Sequence, residues 1–245
     1  MGALAQAGRR LNAVGRASVR LVGGDVRLLL GALLVAASVW GFIEIADAVS
    51  GGATQAFDER VLRLLRDTED VSQVLGPRWL RGAMRDATAL GSATVLVLVS
   101  LAVVVFLALR GQFHALALVL VATVGGRLLN VLLKALFERP RPDLSFHLTE
   151  VDSPSFPSGH AMDSAVIYLT LATLLARLVK GRVLKVYVVA LAMIATFLAG
   201  VSRVYLGVHY PSDVLAGWVA GLAWAVLCWG TATYLQRRGA VEKAQ

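Results

Sequence analysis

The 245-residue chain has one cysteine, Cys228, and little charge: Asp, Glu, Lys and Arg together make up 16% of it. A single cysteine excludes an intramolecular disulfide, so cysteine usage carries no information about compartment. The charge falls well short of the roughly 25% usual in soluble domains. There is no Walker loop and no G-x-G-x-x-G fingerprint, which sets aside the glycine loops that cradle nucleotide phosphates. No internal repeat stands out, and the chain reads as one domain. Proline is sparse, six residues in all, and four of them (Pro140, Pro142, Pro154 and Pro157) crowd into a single stretch. That stretch, 136–160, cannot be one helix.

What the chain has in quantity is apolar sequence. Hydrophobic residues make up 57%, and mean hydropathy is +0.69. They fall into six runs of bilayer-crossing length, near 28–46, 88–109, 113–135, 161–179, 183–201 and 214–235. Buried helices of soluble proteins are usually shorter and more often interrupted. The expected fold is therefore all-α: a polytopic membrane helical bundle of six transmembrane helices. The short turn at 110–112 makes spans two and three antiparallel neighbours.

The net charge of +8 raises the question of nucleic acid. Its placement answers no. Arg9, Arg10, Arg16, Arg20 and Arg27 precede the first span, Arg177, Lys180, Arg182 and Lys185 lie between spans four and five, and Arg237, Arg238 and Lys243 follow the last. With six spans these segments share one side, which the positive-inside rule makes cytoplasmic. Residues 1–27 then form a basic cytoplasmic arm, 28–235 the six-span domain and 236–245 a cytoplasmic tail. The arginines, apolar stretch and "ADA" at 46–48 resemble a signal peptide, but the charged leader is long, and an uncleaved first span is the better reading. Segment 47–87 is expected on the extracytoplasmic side. In "FDERVLRLLRD", Phe57, Val61, Leu64 and Leu65 recur at helical spacing, which predicts an amphipathic helix lying on the membrane or a plain linker helix.

Polar residues collect at span ends on the face opposite the basic arms. Lys134, Arg139 and Arg141 lie in "KALFERPRP", Ser158 and His160 in "PSGH", and Arg203, His209 and Asp213 in "SRVYLGVHYPSD". Any one of them could snorkel to the headgroups. That does not explain two histidines, several cations and a carboxylate converging from separate spans. Arginine forks match phosphate oxygens. A serine and a glycine at a helix start add a hydroxyl and approachable N–H groups. In a helical "HYPSD", His209 and Asp213 share a face, so the acid can hold one ring nitrogen and leave the other free to attack. His160 is then the candidate proton donor. Two histidines and an aspartate could also hold zinc, but the surrounding cations disfavour a metal.

These stretches resemble the signature of the type 2 phosphatidic acid phosphatase (PAP2) superfamily: K-x6-R-P, P-S-G-H and S-R-x5-H-x3-D. Here it spans residues 134–213 with every signature position filled. The resemblance implies a membrane lipid phosphatase that needs no cofactor and no metal. His209 would form a phosphohistidine, with Asp213 orienting it and His160 protonating the leaving oxygen. Lys134, Arg141, Ser158, Gly159 and Arg203 would bind the phosphoryl oxygens. The implied substrate is a bilayer lipid phosphate or diphosphate: phosphatidate, phosphatidylglycerol phosphate, undecaprenyl diphosphate or a lipid A type. A lipid phosphotransferase using the same intermediate and a non-catalytic lipid-binding protein are the alternatives. The implied location is a bacterial inner membrane with the site on its outer face.

One expectation lies outside the signature. Arg127, Asn130 and Lys134 share a face of span three, and Asp163 lies one turn below His160 on span four. Charged groups within spans usually find partners inside the bundle. Arg127 and Asp163 are expected to pair beneath the site.

Overall fold

The computed structural model describes residues 2–70, 72–149 and 151–238, with side chains from residue 26 onward except at 144. The arginines at 9, 10, 16 and 20 of the expected basic arm therefore lie outside the described side chains, and Lys243 lies outside the described residues. Among the described residues there is no strand, only an isolated bridge between Arg66 and Val74. The helices are α1 (Gly2–Ser50), α2 (Gln55–Leu64), α3 (Arg78–Ala89), α4 (Ala93–Leu109), α5 (Phe113–Phe137), α6 (Gly159–Leu178), α7 (Arg182–Tyr205) and α8 (Pro211–Arg237).

Among the described residues, five helical segments are long and apolar enough to cross a membrane, and the bent pair α3–α4, taken as one span, makes a sixth. The expected second span, 88–109, is thus not one helix. Ser92 caps α4 by accepting from the Val95 N–H, and the chain bends by 46° between α3 and α4. A serine that satisfies an orphan N–H starts a new helix inside an apolar run. The proline-rich stretch 138–158 is irregular, with one 3-10 turn at Leu144–Phe146. Glu138 ends α5 in the left-handed region at φ 43°.

Segment 47–87 carries the expected amphipathic helix as α2. Phe57 and Leu64, placed on the apolar face of α2, are 59% and 66% exposed. The helix also buries Leu62 against Ala161, Val204, Tyr210 and Val214, with Val61 and Leu65 beside it. Asp58 is buried too. Helix α2 is therefore docked onto the ends of α6, α7 and α8.

Helix α6 is the centre of the bundle, packed against α5, α7 and α8, while α1 packs on α8. The outward faces carry exposed leucines and valines, as expected where lipid is the solvent. The α6–α8 seam is set by small residues. A Cβ at Gly217 would sit 2.7 Å from the Ser158 carbonyl oxygen, and one at Gly221 would sit 2.7 Å from the Met162 carbonyl oxygen. This G-x-x-x-G spacing lets two backbones approach as side chains would forbid. Gly221→Ala should lower the melting temperature in detergent by an amount matching an overpacking cost of about 1–3 kcal/mol. Gly230→Ala, with nothing within 4 Å of the added carbon, should melt as wild type. Equal melting of all three proteins would refute the close seam.

Candidate active site

The sequence-predicted residues meet at one end of the bundle. Lys134 comes from the last turn of α5, Arg141 and Ser158 from the irregular stretch, Gly159 and His160 from the start of α6, Arg203 from the end of α7, His209 from the α7–α8 loop and Asp213 from the first turn of α8. The basic Arg177, Arg182 and Lys185 lie at the other ends of α6 and α7.

His209 and Asp213 do pair, with Nδ1 3.4 Å from Oδ2, but not as helical neighbours. His209 precedes the helix. Pro211 opens α8, and Asp213 reaches back to accept the Tyr210 N–H at 2.9 Å. This acid at the third helical position satisfies an orphan donor at the helix start. The long Nδ1 distance is of the kind that tightens when substrate binds. The other ring nitrogen, Nε2, lies 3.3 Å from Arg141 Nη1.

Burial pushes the His209 pKa down to about 3; Asp213 opposes the shift, and Arg141 and Arg203 add to it. The ring is therefore neutral across the physiological range. With a proton on Nδ1 facing Asp213, Nε2 presents a lone pair.

Asp213 is fully buried and well supplied with donors. Besides Tyr210, its Oδ2 accepts from Ser155 Oγ at 2.5 Å, and its Oδ1 accepts from Arg139 Nη1 at 2.6 Å. Arg139 also donates through Nη2 to Asp58 Oδ2 at 2.9 Å. Asp58 further accepts the Ser212 N–H at 3.0 Å and the Ser212 hydroxyl at 2.5 Å. Burial alone would lower the Arg139 pKa, but Asp213 and Asp58 outweigh it and raise it.

The other cations are held differently. Lys134 Nζ donates to the Pro154 carbonyl. Arg141 donates from Nε to Ser153 O at 2.7 Å and from Nη1 to Val208 O at 2.5 Å. Arg203 Nη1 donates to Thr88 Oγ1 at 3.0 Å, and its Nε has no protein partner. Ser158 Oγ and both polar atoms of Asn130 are also buried without protein partners. A Cβ at Gly159 would lie 3.6 Å from Asn130 Oδ1 and 3.8 Å from Lys134 Cε, so Asn130 lies against the start of α6. The Ser158 N–H donates to the Asp213 carbonyl at 3.0 Å, tying the starts of α6 and α8 together.

His160 is half-buried and packs against the α3–α4 bend, where a Cβ at Gly91 would sit 2.9 Å from its own. Beneath the site, Arg127 Nη1 meets Asp163 Oδ2 at 3.0 Å, as helical spacing predicts. Sequence reasoning missed Asp58, Ser155, Ser212 and Thr88, and it left Arg139 without a role. A clue was present in α2: an acid within the first turn of an amphipathic helix.

These features carry a titration prediction. Folded His209 stays neutral down to about 3, whereas the unfolded residue takes up a proton near about 6.5. Between those values the unfolded state binds more protons, so this residue withdraws stability as pH falls. The His209 ring should keep neutral-imidazole nitrogen shifts in NMR from neutral pH down to about pH 4. An imidazolium signal from His209 appearing near the ordinary histidine pKa of about 6.5 would contradict the assignment.

The sequence profile of the PAP2 superfamily matches residues 113–237. Phosphatidylglycerophosphatase B of Bacillus subtilis (strain 168) is 36% identical over 188 residues, which is 74% of this chain and 86% of that protein. The crystal structure of a transmembrane PAP2 type phosphatidylglycerolphosphate phosphatase from Bacillus subtilis superposes with a TM-score of 0.72 at 30% identity, covering 83% of this chain and 98% of that one. Aquifex aeolicus LpxE superposes with a TM-score of 0.53 at 25% identity, covering 71% of this chain and 94% of that one.

Proposed function

We propose that this chain, which belongs to the PAP2 superfamily, is an integral membrane phosphatase that cleaves lipid phosphates through a phosphohistidine on His209. The observation that carries the reading is the buried His209 ring, with Asp213 at Nδ1 and Arg141 at Nε2. Nε2 attacks phosphorus as the bond to the lipid oxygen breaks, and His160 delivers the proton that this oxygen needs. Water then attacks the phosphohistidine, His160 takes its proton, and the N–P bond breaks to release phosphate and neutral His209. Asp213 stabilises the positive charge that grows on the ring in the first step.

Lys134, Arg141, Arg203, Ser158 and the Gly159 N–H receive the phosphoryl oxygens. Ser158 Oγ and Arg203 Nε, both buried without protein partners, supply donors suited to an anion. Three cations around the phosphoryl group perform the charge stabilisation that a metal would otherwise supply. The basic ends of α6 and α7 lie opposite the site, which supports an extracytoplasmic site by the positive-inside rule. Phosphatidylglycerol phosphate heads the candidate substrates, since the relative matched over 86% of its length is named a phosphatidylglycerophosphatase.

Purified protein in detergent should release phosphate from phosphatidylglycerol phosphate, phosphatidate or isoprenoid diphosphate with excess chelator present. Loss of activity that a divalent cation restores would overturn the metal-free reading. His209→Ala should abolish release and the acid-labile phosphoryl label on the enzyme; a label persisting on the variant would move the nucleophile elsewhere. Arg203→Lys, which keeps charge but not the fork, should lose activity by at least about tenfold. A wild-type rate would show that charge alone suffices.

A further inference from the structure

We propose that Asp58, on α2 and outside the region matched to the family profile, is a positioning residue for the reaction, acting through Arg139 on Asp213. The proposal rests on the reading of His209 as nucleophile. Asp58, Arg139 and Asp213 form a continuous buried chain of acid, base and acid: their side chains are 0%, 8% and 0% exposed. The guanidinium spans the two carboxylates with separate nitrogens, Nη2 to Asp58 and Nη1 to Asp213. Its Cζ lies 4.3 Å from the centre of the Tyr210 ring, which holds the fork's other face. The Tyr210 N–H in turn binds Asp213.

The charge count gives this arrangement its consequence. Arg139 alone against Asp213 would be a neutral pair, leaving little negative charge to face His209. A second carboxylate divides the guanidinium between two anions, so the three groups together carry one negative charge. That charge lies behind His209 Nδ1, where positive charge grows as Nε2 bonds to phosphorus. In a buried setting such a charge acts with little screening. Asp58 also accepts both donors of Ser212, in the first turn of α8. It therefore fixes the helix start from which Asp213 projects.

Simple docking of α2 does not require the acid. Leu62, one turn on, is 1% exposed and makes the apolar contact with Ala161, Val204, Tyr210 and Val214. A carboxylate stripped of water costs several kcal/mol unless its partners repay it. The partners here all lead toward Asp213.

The two roles of α2 can be separated by kinetics. Asp58→Asn keeps the shape and removes the charge. It should lower kcat on phosphatidate by at least about tenfold, with KM within about threefold of wild type. The His209 Nδ1–H proton should move upfield as its bond to Asp213 weakens. Leu62→Ala removes the apolar anchor and keeps the charge; it should lower the melting temperature while kcat stays within about twofold. A wild-type kcat in Asp58→Asn, or an equal kcat loss in Leu62→Ala, would overturn the proposal. Should Asp58→Asn fail to fold, Arg139→Lys carries the test, because an ammonium keeps the charge but cannot span both carboxylates. The same tenfold loss is expected, and a wild-type rate would by itself refute the bridge. His209→Ala, run alongside, separates the two claims. If it keeps the phosphoryl label, the nucleophile is wrong; if it is dead while Asp58→Asn is normal, only the bridge is wrong.

Discussion

A carboxylate with no exposed surface must be fully satisfied or it will not stay ionised, and Asp213 organises its end of the molecule on that condition. Its donors come from separate parts of the chain: Ser155 and Arg139 from the stretch after α5, Tyr210 from the turn before α8, and His209 from the α7–α8 loop. Its backbone carbonyl accepts the Ser158 N–H that opens α6. Satisfying this one group therefore docks the irregular proline-rich stretch and fixes where two helices begin. Displacing any donor would leave a buried charge short of a partner, and the cost of that holds the loops in place without regular secondary structure.

The cations of the site fall into two kinds, and the difference lies in their acceptors. Arg139 is spent on carboxylates, one on each side. Lys134 and Arg141 are held by neutral carbonyls, and Arg203 by a hydroxyl. A carbonyl satisfies a donor's geometry without cancelling its charge. The positive field of these three residues therefore survives at the site, pointed at the place where Arg141 meets His209 Nε2. Burial, with Arg141 and Arg203 adding to it, keeps the His209 ring neutral. In the proposed reaction one arrangement thus attracts the phosphate anion and preserves the lone pair that attacks it.

The transmembrane helices were legible because they depend on local pattern: apolar runs of bilayer length, bounded by arginines and prolines. The signature residues were legible because chemistry fixes their types and spacings. The Arg127–Asp163 pair was legible because both residues lie on regular helices whose register can be counted. What escaped were contacts that only the tertiary fold creates. Asp58 meets Ser212 across a separation of 154 residues and Arg139 across 81. The docking of α2 through Leu62 escaped because Phe57 and Leu64 are as apolar as Leu62, and burial there is set by neighbours contributed from distant parts of the chain. The bend before α4 escaped because one capping serine outweighs a run of residues that would otherwise continue a helix.

The remaining link joins the membrane interior to the polar end. The proposed nucleophile, its orienting acid and the proposed proton donor stand at or just before the starts of α6 and α8, and the cations on α5 and α7 stand at those helices' ends. Their mutual spacing is therefore set by how the helices pack in the apolar layer. Gly217 bears directly on the Ser158 carbonyl, one residue from the α6 start. Gly221 bears on α6 eight residues from Asp213, about 12 Å along α8 at ~1.5 Å per residue. A side chain added to this seam pushes the two helix starts apart, and a reacting group misplaced by about 1 Å can lose about a hundredfold in rate. Polar contacts at the membrane edge can hold the site in register only because the glycine seam below has already brought the two helices close enough for Ser158 to reach Asp213.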